Sequence, residues 1–242
     1  MPETAEPRIT IDRRFHGPPD SGNGGYVCGR LAAFLDGPVT ARLRVPPPLA
    51  EPLDVSITDT GVKLLHGETI VVEARSTRLE LEVPAPPSTA EAKRASKSFR
   101  GWDEHVFPTC FVCGPDREAG DGLHIFAGAL AGRDLVACTW TPDASLEGRP
   151  GMTAPEFIWA ALDCPGAFAF PQPDGRAVVL GELAVDIHAP VPIGECCVLT
   201  GWPIDHRGRK HHTGTALFSA AGERLALGLA TWIEIGLPES PS

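Results

Sequence analysis

At 242 residues the chain is long enough for one large domain or two small ones, and 43% hydrophobic against 21% charged residues excludes a disordered or membrane-embedded polypeptide. A formal charge of −10 with no gathered basic face excludes nucleic acid as the expected partner. Seven cysteines behind an N-terminus, MPETAEPRIT, with neither a basic start nor an apolar core read as reduced thiols, so a cytoplasmic protein without disulfides or membrane attachment is expected.

In chain order, Ile9, Ile11, Arg13 and Phe15 alternate weakly as a strand. A helix follows over 24–35, opened by Asn23 as N-cap and stopped by Gly37-Pro38. Strand signals come next at Val39–Val45, Leu53–Ile57, Val62–His66 and Thr69–Ser76, the last two meeting at Gly67-Glu68. Residues 84–98, PAPPSTAEAKRASKS, carry no apolar period and read as a linker. Beyond it the order repeats. Leu123–Phe126 and Leu135–Thr141 read as strands, and a helix opens at Thr153-Ala154-Pro155-Glu156, read as a capping box, and runs to Pro165-Gly166. Strands then occupy Leu183–Ile187, Cys196–Trp202, Lys210–Ala220 and Arg224–Ile235. One helix followed by antiparallel strands, made twice, is an internal duplication, and two such units cover each other's exposed faces. The expected domains are 1–83, a linker over 84–104, and 105–242.

Three local patterns carry chemistry. Gly24 and Gly25 open the first helix, where free N–H donors and a close approach to the backbone suit a developing oxyanion; the bland alternative is a tight turn. Asp163 follows Phe157, Ile158, Trp159, Ala160, Ala161 and Leu162, an apolar run in which an unpaired carboxylate is costly. Cys110-x-x-Cys113 offers half a zinc site, with His105, Asp116 or His124 as further ligands, but a single pair favours buried turn thiols, so no metal is expected. Cys164 as a nucleophile has no histidine near it in sequence. The basic run His206–His212, including Arg209 and Lys210, reads as a solvated hairpin tip or as a contact for phosphates.

The segment CFVCGPDREAGDGLHIF, 110–126, closely resembles the opening of single-domain hotdog thioesterases of the phenylacetyl-CoA thioesterase branch. VACTWTP, EGRPGMTAPEF, WAALDCPGAFA and the closing strands of 208–233 follow in that family's order. The likeness covers 105–235 and reaches 15–76 only through the duplication. It implies a helix beginning His-Gly-Gly, whose N–H groups polarise a thioester carbonyl, and a carboxylate two turns on. Here Asn23 stands for the histidine. Seven residues past Gly25 is Ala32, without an acid, whereas seven past Glu156 is Asp163 without the glycines. Each half keeps what the other lost, and position 167, where some relatives carry a hydroxyl, is alanine.

The resemblance therefore implies an α+β double hotdog, two curved antiparallel sheets each wrapping one helix and fused as a pseudo-dimer. It further implies an acyl-CoA or acyl-carrier-protein thioesterase with one composite site: Asp163 as base or nucleophile, Gly24 and Gly25 as oxyanion donors. Substrate contacts are expected from Asn23, His16, Tyr26, Trp159, Phe157, Arg209 and Lys210, with no cofactor, and with a homodimer as the assembly. The alternatives are a non-catalytic acyl-CoA or acyl-chain binder, then a hotdog dehydratase or hydratase.

Overall fold

The computed structural model describes residues 7–237. Its thirteen strands are β1 (Arg8–Thr10), β2 (Val39–Leu43), β3 (Pro52–Thr58), β4 (Gly61–His66), β5 (Thr69–Ser76), β6 (Gly128–Ala129), β7 (Val136–Trp140), β8 (Glu147–Arg149), β9 (Met152–Thr153), β10 (Arg176–Ile187), β11 (Cys197–Arg207), β12 (Lys210–Ser219) and β13 (Arg224–Gly236). The helices are α1 (Gly24–Ala32), α2 (Thr89–Ala95), α3 (Pro155–Ala161) and α4 (Cys164–Phe168). Apart from the small β8–β9 hairpin, the strands form one antiparallel sheet in the order β1-β3-β4-β5-β2-β10-β13-β12-β11-β7-β6. The expected two sheets are thus one. The reason is that β2 and β10, each the strand after a helix, would both present unpaired backbone groups and pair with each other instead, Val39 opposite Val185 and Arg42 opposite Glu182. Outward from that seam the two halves run in matching order, β5-β4-β3 on one side and β13-β12-β11 on the other.

The helices lie together against this sheet. α1 packs on β2, β4, β5 and β10, while α4 packs on β11, β12, β13 and β7, and α1 and α3 meet face to face. Their contact is close because α1 presents Gly25 and Gly29 on one side. A methyl group added at Gly29 would sit 2.7 Å from the Glu156 Cα and from the Trp159 Cβ. Three glycines, Gly24, Gly25 and Gly29, stand in this nine-residue helix, and a glycine inside a helix costs about 0.5–1 kcal/mol in propensity. The cap offsets part of that cost, since the Asn23 side chain accepts the Tyr26 N–H at 2.9 Å. α1 is shorter than expected, with only single-turn bonds, Phe34 to Leu31 and Leu35 to Ala32, continuing it.

Other local expectations are corrected. Arg13–Phe15 is a 3-10 turn capped by Asp12 rather than strand, because the Asp12 side chain accepts the Arg14 N–H and folds the chain back. Leu123–Phe126 is irregular and bonds the 111–112 turn through Leu123 and Ile125 N–H groups. Within 84–104, Ser88 and Glu91 form a capping box and start α2, so this segment is not a bare tether. Ala92 and Ala95 of α2 pack with Leu135, Val198, Trp202 and Phe218, covering the sheet's second-half outer face.

The second helix departs most from expectation. Among the described residues no side chain caps α3, whose N-cap is Ala154 with Pro155 next, and the buried Thr153 hydroxyl has no partner. The capping box read at 153–156 is therefore absent. The helix also breaks after Ala161. Pro165 has no N–H for the Ala161 carbonyl and its ring excludes that carbonyl from the helical position. The Gly166 N–H turns to the Asp163 carbonyl at 3.0 Å, and the freed Leu162 carbonyl accepts the Thr215 hydroxyl at 2.8 Å. Asp163 consequently sits at a kink, with φ −75° and ψ −82°, immediately before α4.

Candidate functional site

The kink turns the Asp163 carboxylate onto the amino end of α1. Asp163 Oδ2 accepts Asn23 Nδ2 at 2.9 Å and the Gly25 N–H at 3.0 Å. Gly25 has to be glycine here, because a Cβ would lie 2.6 Å from the Asp163 Cβ and 2.8 Å from the Trp159 carbonyl. Asp163 is 2% exposed, and its second oxygen, Oδ1, is buried with no hydrogen-bond partner among the described residues. Burial pushes the carboxyl up to about 7. The Gly25 N–H opposes the rise, nearby Cys110 adds to it, and the Asn23 amide opposes it.

The donors at the start of α1 can be counted. Tyr26 N–H goes to the Asn23 side chain, Val27 N–H to the Asn23 carbonyl and Gly25 N–H to Asp163. Only the Gly24 N–H has no partner among the described residues. Gly24 is half-buried, its α-carbon facing the Leu180 side chain. The pair expected to act together is therefore split: Gly25 holds the acid and Gly24 keeps a free donor.

The other candidates fall in different places. Tyr26 is buried, stacks on Phe15 at 4.3 Å and accepts Arg30 Nη1 on its hydroxyl. Phe157 joins the same cluster, 5.6 Å from Tyr26 and 6.1 Å from Phe111, tying both halves together through aromatic contact. Trp159 is 4% exposed and lies over Gly29. His16 contributes its backbone, its carbonyl accepting the Phe111 N–H at 2.8 Å. Arg209 and Lys210 are exposed at the β11–β12 turn, and no hydrogen bond among the described residues links them to Asp163. One cavity of about 420 Å³ lies beside that hairpin, lined by Phe170, Pro203, His206 and His211 among others. Another, of about 230 Å³, is bordered by Arg100, Val136, Phe168 and Phe170. Neither touches Asp163.

Two placements are not written in the sequence pattern, that of Thr215 and that of Cys164, which the sequence offers only as a nucleophile. Thr215, on β12, orders the helix break through the Leu162 carbonyl, a role set by pairing between distant segments. Cys164 stands with the 110–113 turn, its sulfur 3.9 Å from that of Cys110, while His105 Nε2 is 3.3 Å from the Cys113 sulfur. Hydrogen bonds from Cys113 and Cys164 hold the Cys110 thiol well below the ordinary cysteine range. The adjacent pair Asp163-Cys164 was the available signal, since a helix break there sends the two side chains to different neighbours.

No protein-family model and no curated protein matches the chain. Solved structures do match it. The acyl-CoA thioesterase II TesB2 of Mycobacterium marinum is 13% identical, with a TM-score of 0.60, covering 99% of this chain and 96% of that one. The TesB protein of Mycobacterium avium subspecies paratuberculosis is 14% identical, with a TM-score of 0.58, over 94% and 92%. The chain thus shares the mixed α+β fold, a large antiparallel sheet with few helices, of TesB-type acyl-CoA thioesterases. At these identities the likeness is one of fold. No helix among the described residues is long and apolar enough to cross a membrane.

Proposed function

We propose that the chain is a thioester hydrolase for acyl-CoA or acyl-carrier-protein substrates, built as a double hotdog pseudo-dimer with one working site shared by its halves. One observation carries the reading: a buried carboxylate from the second half meets the first helix of the other half, one oxygen bound and the other bare. A bare buried oxygen costs about 1–3 kcal/mol, which a role in chemistry accounts for and packing does not. The fold it shares with acyl-CoA thioesterases supports an acyl thioester as the substrate class.

In the reaction, Asp163 Oδ1 takes a proton from water as the water oxygen bonds to the thioester carbonyl carbon. The carbonyl oxygen, now negative, is met by the free Gly24 N–H at the positive end of α1. The carbon–sulfur bond then breaks, and the leaving thiolate takes the proton from Asp163, giving a carboxylic acid and a free thiol. Direct attack by the same oxygen, through an anhydride opened by water, uses the same atoms. Asn23 and the Gly25 N–H position the acid in either course. Arg209 and Lys210 are assigned to the coenzyme A phosphates, and a homodimer belongs to the same proposal.

The enclosure of Asp163 favours a second reading, a protein that binds acyl chains without cleaving them. Thiol release from short, long and aryl acyl-CoAs separates the two. Turnover of at least one above the buffer rate is expected. Calorimetric binding with no turnover across the panel contradicts hydrolysis and leaves the binder.

A further inference from the structure

The sequence weighed Cys110-x-x-Cys113 as half a zinc site and found no second half. The fold provides it. Cys164, 54 residues from Cys110, is brought to the same turn by the helix break at Pro165, and the sulfurs of Cys110, Cys113 and Cys164 all lie within 4.8 Å of one another. All three are buried and free. We propose that these three cysteines form a site for a single thiophilic d10 metal ion, zinc(II) or copper(I), bound by three thiolates.

The spacing suits such an ion. A zinc–sulfur bond of about 2.3 Å in tetrahedral geometry sets sulfurs about 3.8 Å apart, and Cys110 and Cys164 stand at 3.9 Å. Two ligands come from one turn and the third from a separate helix, so an ion would fasten 110–113 to α4. Three thiols packed as small apolar groups are the alternative, but that account leaves His105 unexplained. The Phe107 N–H donates to His105 Nδ1 at 3.1 Å, so the ring's own proton is assigned to Nε2, which faces the Cys113 sulfur at 3.3 Å. A buried imidazole N–H directed at sulfur would support the thiolate once an ion is bound. His105 is therefore a supporting donor to the sulfur, not a ligand. The soft all-sulfur set selects zinc and copper(I) over magnesium, calcium or manganese. The His206, His211 and Glu234 group, with His206 exposed and the other two half-buried, is a weaker candidate at the sheet surface.

The test uses the full-length protein, reduced and stripped of metal. Zinc and copper(I) are titrated separately against chromophoric competitors, and sulfur ligands are counted by X-ray absorption. One equivalent of one ion per chain with three sulfurs is expected. Cys164→Ser should weaken binding at least tenfold, and His105→Gln should weaken it less while keeping the stoichiometry. Cobalt(II) should give a thiolate charge-transfer band that Cys164→Ser alters. The proposal is overturned if neither ion exceeds the binding of a triple Cys→Ser control, or if wild type shows fewer than three sulfurs. The sulfur count is made on wild type, so it stands even where a variant fails to fold, and it is independent of whether the protein hydrolyses thioesters.

Discussion

Asn23 carries two interactions with separable consequences. Its oxygen caps α1 and its nitrogen holds the Asp163 carboxylate. Asn23→Ala removes both, and loss of the cap alone costs about 1 kcal/mol, with more for a buried carboxylate deprived of a donor. Urea unfolding should therefore show a clear loss of stability, and thioester hydrolysis should fall. Asn23→Ser keeps a capping oxygen but no amide, so it should recover much of the stability while hydrolysis stays low. Equal recovery of both would mean that the amide does not position the acid. The neighbouring glycine is equally specific. Gly25 was legible as a helix start but not as the residue that lets the acid approach, because the sequence does not show which chain segment faces it.

At the scale of elements, the contact between α1 and α3 sets two effects against each other. Gly→Ala in a free helix gains about 0.5–1 kcal/mol, whereas overpacking a closed contact costs about 1–3 kcal/mol. With the Glu156 Cα and Trp159 Cβ each 2.7 Å from a Cβ at position 29, the second effect wins. Gly29→Ala should lower the urea midpoint; a rise would show that the helices separate easily. Thr215→Val tests the helix break in the same way. It strands the Leu162 carbonyl, and a loss of about 1–3 kcal/mol is expected in the same assay. Strand placement was largely readable, Thr69–Ser76 to the residue, where alternation records one buried face, as in β3 and β4; β10, buried on both faces along much of its length, begins at Arg176, seven residues before the alternation shows it. The break at 162–163 was not. Pro165 was read as a stop, and only the Thr215 hydroxyl, from a strand fifty-three residues away, shows where the chain goes instead.

For the whole molecule, the pairing of β2 with β10 and the packing of α1 on α3 make the halves interdependent. Four of the five tryptophans lie in the second half and Trp102 in the 84–104 segment, with none in 1–83, so their fluorescence reports chiefly the second half and, through Trp159, its contact with α1. Urea unfolding followed by tryptophan fluorescence and by far-ultraviolet circular dichroism should give one coincident transition. A separate earlier step in dichroism would mean that the first half melts independently. The complementarity of the halves, glycines in one and the acid in the other, was visible along the chain. Their meeting is a property of the folded pair, as is the gathering of three cysteines that no spacing rule connects.

The central claim is that Asp163 performs the chemistry instead of merely filling the space between the helices. The direct measurement is kcat/KM for Asp163→Asn on the best acyl-CoA substrate, alongside the affinity for a non-hydrolysable analogue. Asparagine keeps the shape and a carbonyl oxygen for Asn23 and Gly25, but it cannot take a proton or attack. A fall of roughly 10²–10⁴ in kcat/KM with near-unchanged analogue affinity is expected. Hydrolysis at the wild-type rate in the folded variant would contradict the account.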